Sequence, residues 1–121
     1  NSFCTDAIEF LRQSPKDQYD LIILDPPAFA KHRDSLQNAL RAYQRLNFEA
    51  ISKVSPGGVV FTYSCSQVVD RKSFTEAVFS AAARSGREVR IIGRLSQPAD
   101  HPVSIYHPEG EYLKGLVLYV E

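Results

Sequence analysis

One stretch limits what this chain can become more than any other. It is Tyr19-Asp20-Leu21-Ile22-Ile23-Leu24-Asp25, followed at once by Pro26 and Pro27. An apolar run without alternation reads as a strand buried on both faces. Its end is abrupt, because neither proline can donate a ladder hydrogen bond and Pro27 drives Pro26 out of the helical region. The strand therefore finishes where a carboxylate and rigid backbone carbonyls project.

The other elements arrange themselves around that strand. Residues 1–4 read as the end of an earlier strand. Asp6 with Glu9 forms a capping pair for a short helix whose apolar side is Ile8, Phe10 and Leu11. A long helix is predicted from Ser35 to Val54, with Leu36, Leu40, Tyr43, Asn47, Ile51 and Val54 on its inner stripe. Pro56-Gly57-Gly58 should end it. Val59-Val60-Phe61-Thr62-Tyr63 is a second strand, rich in β-branched and aromatic residues, and Ser64-Cys65-Ser66 lies just past its end. Asp70 can cap a helix that buries Phe74, Ala77, Val78, Ala81 and Ala82 and stops at Gly86. Glu88–Leu95 is a third strand, Ser96–Glu111 a long ordered loop, and Tyr112 or Leu113 to Val120 a last strand.

Alternating strands and helices predict an α/β layered sheet, mostly parallel, with helices on both faces. The final two strands lack an intervening helix and should form an antiparallel hairpin at one end. In open α/β sheets ligands sit beyond the carboxyl ends of the strands. Asp25-Pro26-Pro27 and Ser64-Cys65-Ser66 both fall there, on consecutive strands.

Composition removes whole classes of function. Lys plus Arg number 14 and Asp plus Glu number 14, a formal net charge of 0, so the chain lacks the broad positive charge of a tight polynucleotide binder. Runs such as Leu21-Ile22-Ile23-Leu24 fall far short of the roughly 20 residues that span a bilayer. No basic stretch leads into an apolar core at the N-terminus. Two cysteines, Cys4 and Cys65, make no disulfide framework, and with 3 histidines a closed metal site is not expected. A reducing cytoplasm is the expected setting. The chain opens on Asn1 rather than Met, which suggests a piece of something longer.

For each polar feature two readings stand. Asp25-Pro26-Pro27 is either a strand cap with a sharp exit, or a carboxylate with unpaired carbonyls suited to amine hydrogens. Cys65 is either a packed structural thiol or a nucleophile opening into the crevice, while Cys4 has only the context of a core residue. Asp6 is a helix cap or an acceptor for a bound heterocycle. Lys31, His32 and Arg33 are solvated surface or a phosphate contact. Asp100, His101, Tyr106, His107, Glu109, Glu111, Tyr112 and Lys114 decorate the long return.

With these stretches in place, the chain resembles the C-terminal part of the class I S-adenosylmethionine-dependent methyltransferase domain in the bacterial 23S ribosomal RNA cytosine-5 methyltransferase family. The resemblance runs through Thr5-Asp6-Ala7-Ile8-Glu9-Phe10-Leu11, the Tyr19–Phe29 stretch and Phe61-Thr62-Tyr63-Ser64-Cys65-Ser66. It continues in Ala99-Asp100-His101-Pro102 and in Pro108-Glu109-Gly110-Glu111-Tyr112-Leu113-Lys114-Gly115. It implies a Rossmann-like class I methyltransferase fold, of which residues 1–121 are a partial domain without the N-terminal glycine-rich cofactor loop.

The resemblance also implies roles. Cys65 matches the catalytic cysteine and Asp25 its partner in the pocket. Asp6, Ala7, Asp25 and Pro26 would meet S-adenosyl-L-methionine, with Thr5 standing where a glycine is common. Pro27, Phe29, Lys31, Tyr63, Ser64 and Ser66 would line the substrate side, and the intact parent would bind ribosomal RNA. A rival is amine methylation, but there an aromatic residue usually follows Asp-Pro-Pro directly, whereas Ala28 precedes Phe29 here and Cys65 would have no task. A third reading is a catalytically silent or scaffolding fragment. Its 19–25 strand would expose an edge, and the isolated chain is expected to self-associate through it.

Overall fold

The computed structural model describes residues 3–26, 33–66, 68–96 and 113–121. Three helices, α1 (Phe3–Gln13), α2 (Leu36–Lys53) and α3 (Arg71–Ser85), pack on a four-stranded sheet. Its strands are β1 (Tyr19–Leu24), β2 (Val54–Ser64), β3 (Val89–Leu95) and β4 (Lys114–Val120), in the order β1-β2-β4-β3. β1 and β2 are parallel, and β4 is antiparallel to both of its neighbours. Three strands thus run one way and one runs back. The hairpin forms as expected, but its second strand is the inner one: β4 inserts beside β2 and leaves β3 at the edge.

Burial alternates along every central strand. Ile22, Leu24, Val60, Leu116, Leu118 and Val120 are buried in one cluster with Ile8 and Leu11 of α1, Tyr43, Leu46 and Ile51 of α2, and Phe74 and Val78 of α3. Residues of opposite parity are open: Leu21 is 52% and Ile23 61% exposed, and Val59, Phe61, Val117 and Tyr119 are only half-buried. This corrects two expectations, a β1 strand buried on both faces and helices on both sides. The helices cover one face, so only alternate side chains of the apolar run find cover.

Local chemistry explains where the elements start and stop. Asp70 caps α3 by accepting a 2.7 Å hydrogen bond from the Ser73 amide, and Gly86 ends it in the left-handed region at φ 73°. The Tyr43 and Phe74 rings meet in a T-shaped contact at 5.5 Å between centroids, locking α2 to α3. Two helix expectations change. α1 already begins at Phe3, so residues 3 and 4 are helical and Asp6 lies inside the helix rather than at its cap. The reason is the apolar recurrence of Phe3, Ala7 and Leu11 every fourth residue, which extends the helix backwards. Phe10, expected on the apolar side, is 61% exposed.

The second change concerns Pro56-Gly57-Gly58, which does not end α2. The helix stops at Lys53 and Val54 turns directly into extended backbone, φ −67° and ψ 147°. The three residues instead form an irregularity within β2, where the register passes from Tyr19↔Val54 to Leu21↔Val59. Residues 55–58 therefore stand opposite Asp20 alone. A proline is tolerated there because the local ladder is already broken, and Gly57 adopts φ 82°. Gly58 serves a different need. A Cβ there would lie 2.8 Å from the Ser55 carbonyl oxygen and 2.9 Å from that of Asp20. Backbone atoms cannot rotate aside, so Gly58→Ala is expected to cost about 1–3 kcal/mol in a urea titration. An unshifted unfolding midpoint would contradict this close approach.

Candidate active site

Parallel pairing of Leu24 with Thr62 brings the exits of β1 and β2 to the same end of the sheet. From β1 the chain continues as exposed Asp25 and buried Pro26; from β2 it continues as half-buried Cys65 and buried Ser66. The two exits touch. Cys65 Sγ lies 4.0 Å from the Pro26 carbonyl oxygen, a long S–H···O contact. A contact of that length contributes little energy, and its value is geometric: it sets the thiol beside the backbone of the β1 exit.

The turn that carries the thiol is held from below. Ser64 Oγ donates to the Tyr43 hydroxyl at 2.9 Å and accepts from the Ser66 amide at 3.3 Å. Lys114 Nζ donates to the Ser66 carbonyl at 2.9 Å. Ser64 and Ser66 are 0% and 1% exposed, so both lie buried within the turn that carries Cys65. Tyr63 has opposite parity. Its half-buried ring lies over Gly115, where a Cβ would come within 2.7 Å of Cδ1, so it sits on the sheet face away from the helices.

Lys114 is the residue that the sequence misplaced. Named with the polar residues of the long return although it falls within the expected last strand, it opens β4 opposite Ser64 and is only 7% exposed. Alternation could have found it, because Lys114 shares the parity of Leu116, Leu118 and Val120. Other expected site residues fall elsewhere. Ala7 is half-buried against the core, and α1 is tied at its C-terminal end by Lys53 Nζ donating to the Arg12 and Ser14 carbonyls. Its first turns, with Asp6 and Ala7, thus lie toward the end where β1 and β2 finish. Pro27, Phe29 and Lys31 lie outside the described residues, as do His32 and the return from Asp100 to Tyr112. So do the side chains of Cys4, Asp6 and Arg33.

Two grooves lie away from the crevice. One runs between α2 and α3 past Arg41 and Glu76, the other between α3 and the β3–β4 hairpin past Phe79 and Ile91. Neither borders Asp25 or Cys65. Among the described residues no cluster of His, Cys, Asp and Glu could hold a metal ion, and no helix is long and apolar enough to cross a membrane.

Sheet order and hairpin define the class. A methyltransferase assignment attaches to a solved structure complexed with SAH that superposes on 96% of this chain, with a TM-score of 0.73 at 20% identity, over 30% of its own length. The fold is therefore the Rossmann-like class I methyltransferase fold, here a mixed sheet flanked by helices. Sequence takes the relationship further. The chain is 43% identical over 115 residues to the ribosomal RNA large subunit methyltransferase I of Aeromonas hydrophila, and 45% identical over 117 residues to that of Pseudoalteromonas atlantica. These alignments cover 93% and 95% of the chain but 29% and 30% of the relatives. The chain is a class I methyltransferase-type domain related to those proteins, and it spans under a third of their length. No family model matches it.

The carboxylate that caps α3 stands close to this turn. Asp70 is held below the ordinary aspartate value of about 3.9, first by the Ser73 hydrogen bonds and then by the nearby Lys114 and Lys72 ammonium groups. Because the folded value is depressed, the unfolded chain binds more protons between the two values. The stabilisation is complete above about pH 3.9 and fades as pH falls through the folded value. Asp70→Ala should therefore lower stability by about 1 kcal/mol at neutral pH, with the gap from wild type narrowing at about pH 3. Urea midpoints at both pH values measure it; a gap that widens in acid would contradict the assignment.

Proposed function

We propose that the chain is the C-terminal part of the catalytic domain of an S-adenosyl-L-methionine-dependent methyltransferase that modifies carbon 5 of a cytosine in large-subunit ribosomal RNA. The observation that carries the proposal is the approach of Cys65 Sγ to the Pro26 carbonyl at 4.0 Å, beside exposed Asp25. The names of the Aeromonas and Pseudoalteromonas relatives support the RNA substrate. A solved structure complexed with SAH, the demethylated cofactor, supports the methyl donor.

The residues present fit that donor. The Asp25 carboxylate and the Pro26 carbonyl are acceptors, matched to an amine or a sulfonium and not to a phosphate. Asp6, Ala7, Asp25 and Pro26 are assigned to hold it, with the glycine-rich loop contributed by sequence outside this chain. When bound, S-adenosyl-L-methionine supplies the electrophilic methyl group that carbon 5 takes.

Cytosine carbon 5 is a poor nucleophile while the ring is aromatic. Addition of the Cys65 thiolate at carbon 6 breaks the aromaticity and moves electron density onto carbon 5. Asp25 accepts a hydrogen bond from the amino group or the protonated ring nitrogen and so favours the electron-rich adduct. A base then takes the carbon 5 proton, the C–H electron pair forms the carbon 5–carbon 6 double bond, and the carbon 6–sulfur bond breaks to release the Cys65 thiolate. The target base must reach the crevice unstacked. Pro27, Phe29 and Tyr63 are assigned to its walls and Lys31 to a backbone phosphate. Methylation of an amine would leave the thiol without a task.

Two outcomes test the reading. In the full-length protein, Cys65→Ser should lower methyl transfer to cytosine-containing RNA by about a thousandfold or more, the scale of a lost nucleophile, with cofactor affinity by calorimetry unchanged. Undiminished transfer would remove the nucleophile assignment. In the isolated chain the outer edge of β1, with Leu21 and Ile23 exposed beside it, should pair with a second copy. Sedimentation should then show a concentration-dependent dimer, whereas a clean monomer at high micromolar concentration would refute the pairing.

A further inference from the structure

The balanced charge of the chain conceals an uneven distribution in space. α3 begins shortly after Cys65 and carries Arg71 and Lys72 as its first two residues, with no acidic residue in that turn. The amide dipoles of a helix make its N-terminus positive, so cations there work against the helix. Asp70, the carboxylate that precedes the turn, already accepts from the Ser73 amide at 2.7 Å and offsets at most one of the two charges.

Other contacts fix where this turn lies. Arg71 donates to the Leu95 carbonyl at 3.5 Å, at the end of β3, and Leu95 stands opposite Gly115. β2 ends and β4 begins at the same level, where Ser64 faces Lys114. The start of α3 is therefore at the end of the sheet from which Cys65 emerges. Arg94, the neighbour of Leu95, adds a third cation and is exposed, as is Lys72. Among the described residues neither closes a salt bridge. Glu76, the next acidic residue of α3, lies one turn beyond Lys72 in the groove between α2 and α3.

The opposite end of the sheet is built differently. There Arg12 stands by Glu9 and Glu49, Arg90 meets Glu121 at 3.1 Å, and Arg87 donates to the Ile51 and Val54 carbonyls. Cations at that end are matched within the chain, whereas Lys72 and Arg94 are left to solvent. Such side chains suit a partner that brings fixed negative charges in a row. Lysine is depleted from protein–protein interfaces, while lysine and arginine supply the charged contacts to nucleic-acid phosphates.

We propose that Arg71, Lys72 and Arg94 form a docking surface for the phosphate backbone of the RNA strand that carries the target base. The proposal rests on the reading of the substrate as RNA. Contacts of this kind carry no sequence information; they set the register of the strand, here for nucleotides that flank the one offered to Cys65.

Salt dependence reads such contacts directly, since each phosphate neutralised on a single strand contributes about 0.7 to the slope of log affinity against log salt. The measurement is fluorescence anisotropy of a short fluorescein-labelled single-stranded RNA containing cytosine, titrated with the full-length protein across a salt series. Lys72→Gln with Arg94→Gln should make the slope shallower by about 1.4, and adding Arg71→Gln should bring the change to about 2. Between about 50 and 200 mM salt, the affinity gap between wild type and the triple variant should then shrink about 20-fold. Arg84→Gln with Arg90→Gln removes the same charge at the far end and should leave the slope unchanged. Because Lys72 and Arg94 close no salt bridge within the fold, their double variant decides if loss of Arg71 disturbs α3.

An equal slope change in both double variants means net charge alone and overturns the proposal, as does no change in either. A change seen with polyglutamate and absent with RNA assigns the cations to an acidic protein and also overturns it. Wild-type protein that binds no RNA overturns the substrate reading together with this surface. Bound RNA with an unaltered slope in the variants removes the surface alone.

Discussion

Parallel pairing of β1 with β2 is the constraint on which the rest depends. Because Leu24 lies beside Thr62, two chain exits that are 40 residues apart in sequence leave the sheet together. Reversing either strand would carry Cys65 to the far end, a separation of roughly 3.3 Å per strand residue. The register is enforced by alternation, since a slip of β1 by one residue would take Ile22 and Leu24 out of the core and put Leu21 and Ile23 in. Beneath the exits, the link from Ser64 to Tyr43 and the Tyr43–Phe74 edge contact tie the turn to both α2 and α3.

The core is one-sided, and that governs how the chain relates to larger proteins. All three helices bury the same face of the sheet, leaving Leu21, Ile23 and the half-buried Phe61 and Tyr119 on the other. A sheet of this class is ordinarily covered on both faces. The chain also spans under a third of the methyltransferase relatives it matches. Among the described residues the far face carries no helix.

Much of this was legible because certain residues admit few conformations. The two prolines after Asp25 could only end a strand, Asp70 and Gly86 marked both ends of α3, and the missing helix between β3 and β4 announced a hairpin. What escaped was tertiary. Pro56-Gly57-Gly58 carries the same signal for a helix end and for a strand irregularity, and only the pairing with Asp20 distinguishes them. The continuous apolar run of β1 reports hydrophobicity without saying which face is covered. Lys114 was hidden by its charge, since a lysine beside polar residues reads as surface until its strand neighbours supply the parity. At the site, the motifs at the strand ends named the thiol, the carboxylate and the two serines, but not that the serines and Lys114 are buried.

Trapping the proposed adduct tests the central claim most directly. RNA bearing 5-fluorocytosine replaces the proton that must leave with a fluorine that cannot, so an enzyme using thiolate addition stays bound to the base. Incubated with the full-length protein and the methyl donor, such RNA should give a covalent complex whose digest carries the modified nucleotide on Cys65. Methyl transfer to ordinary cytosine with no such complex, or a complex through another residue, would contradict the account.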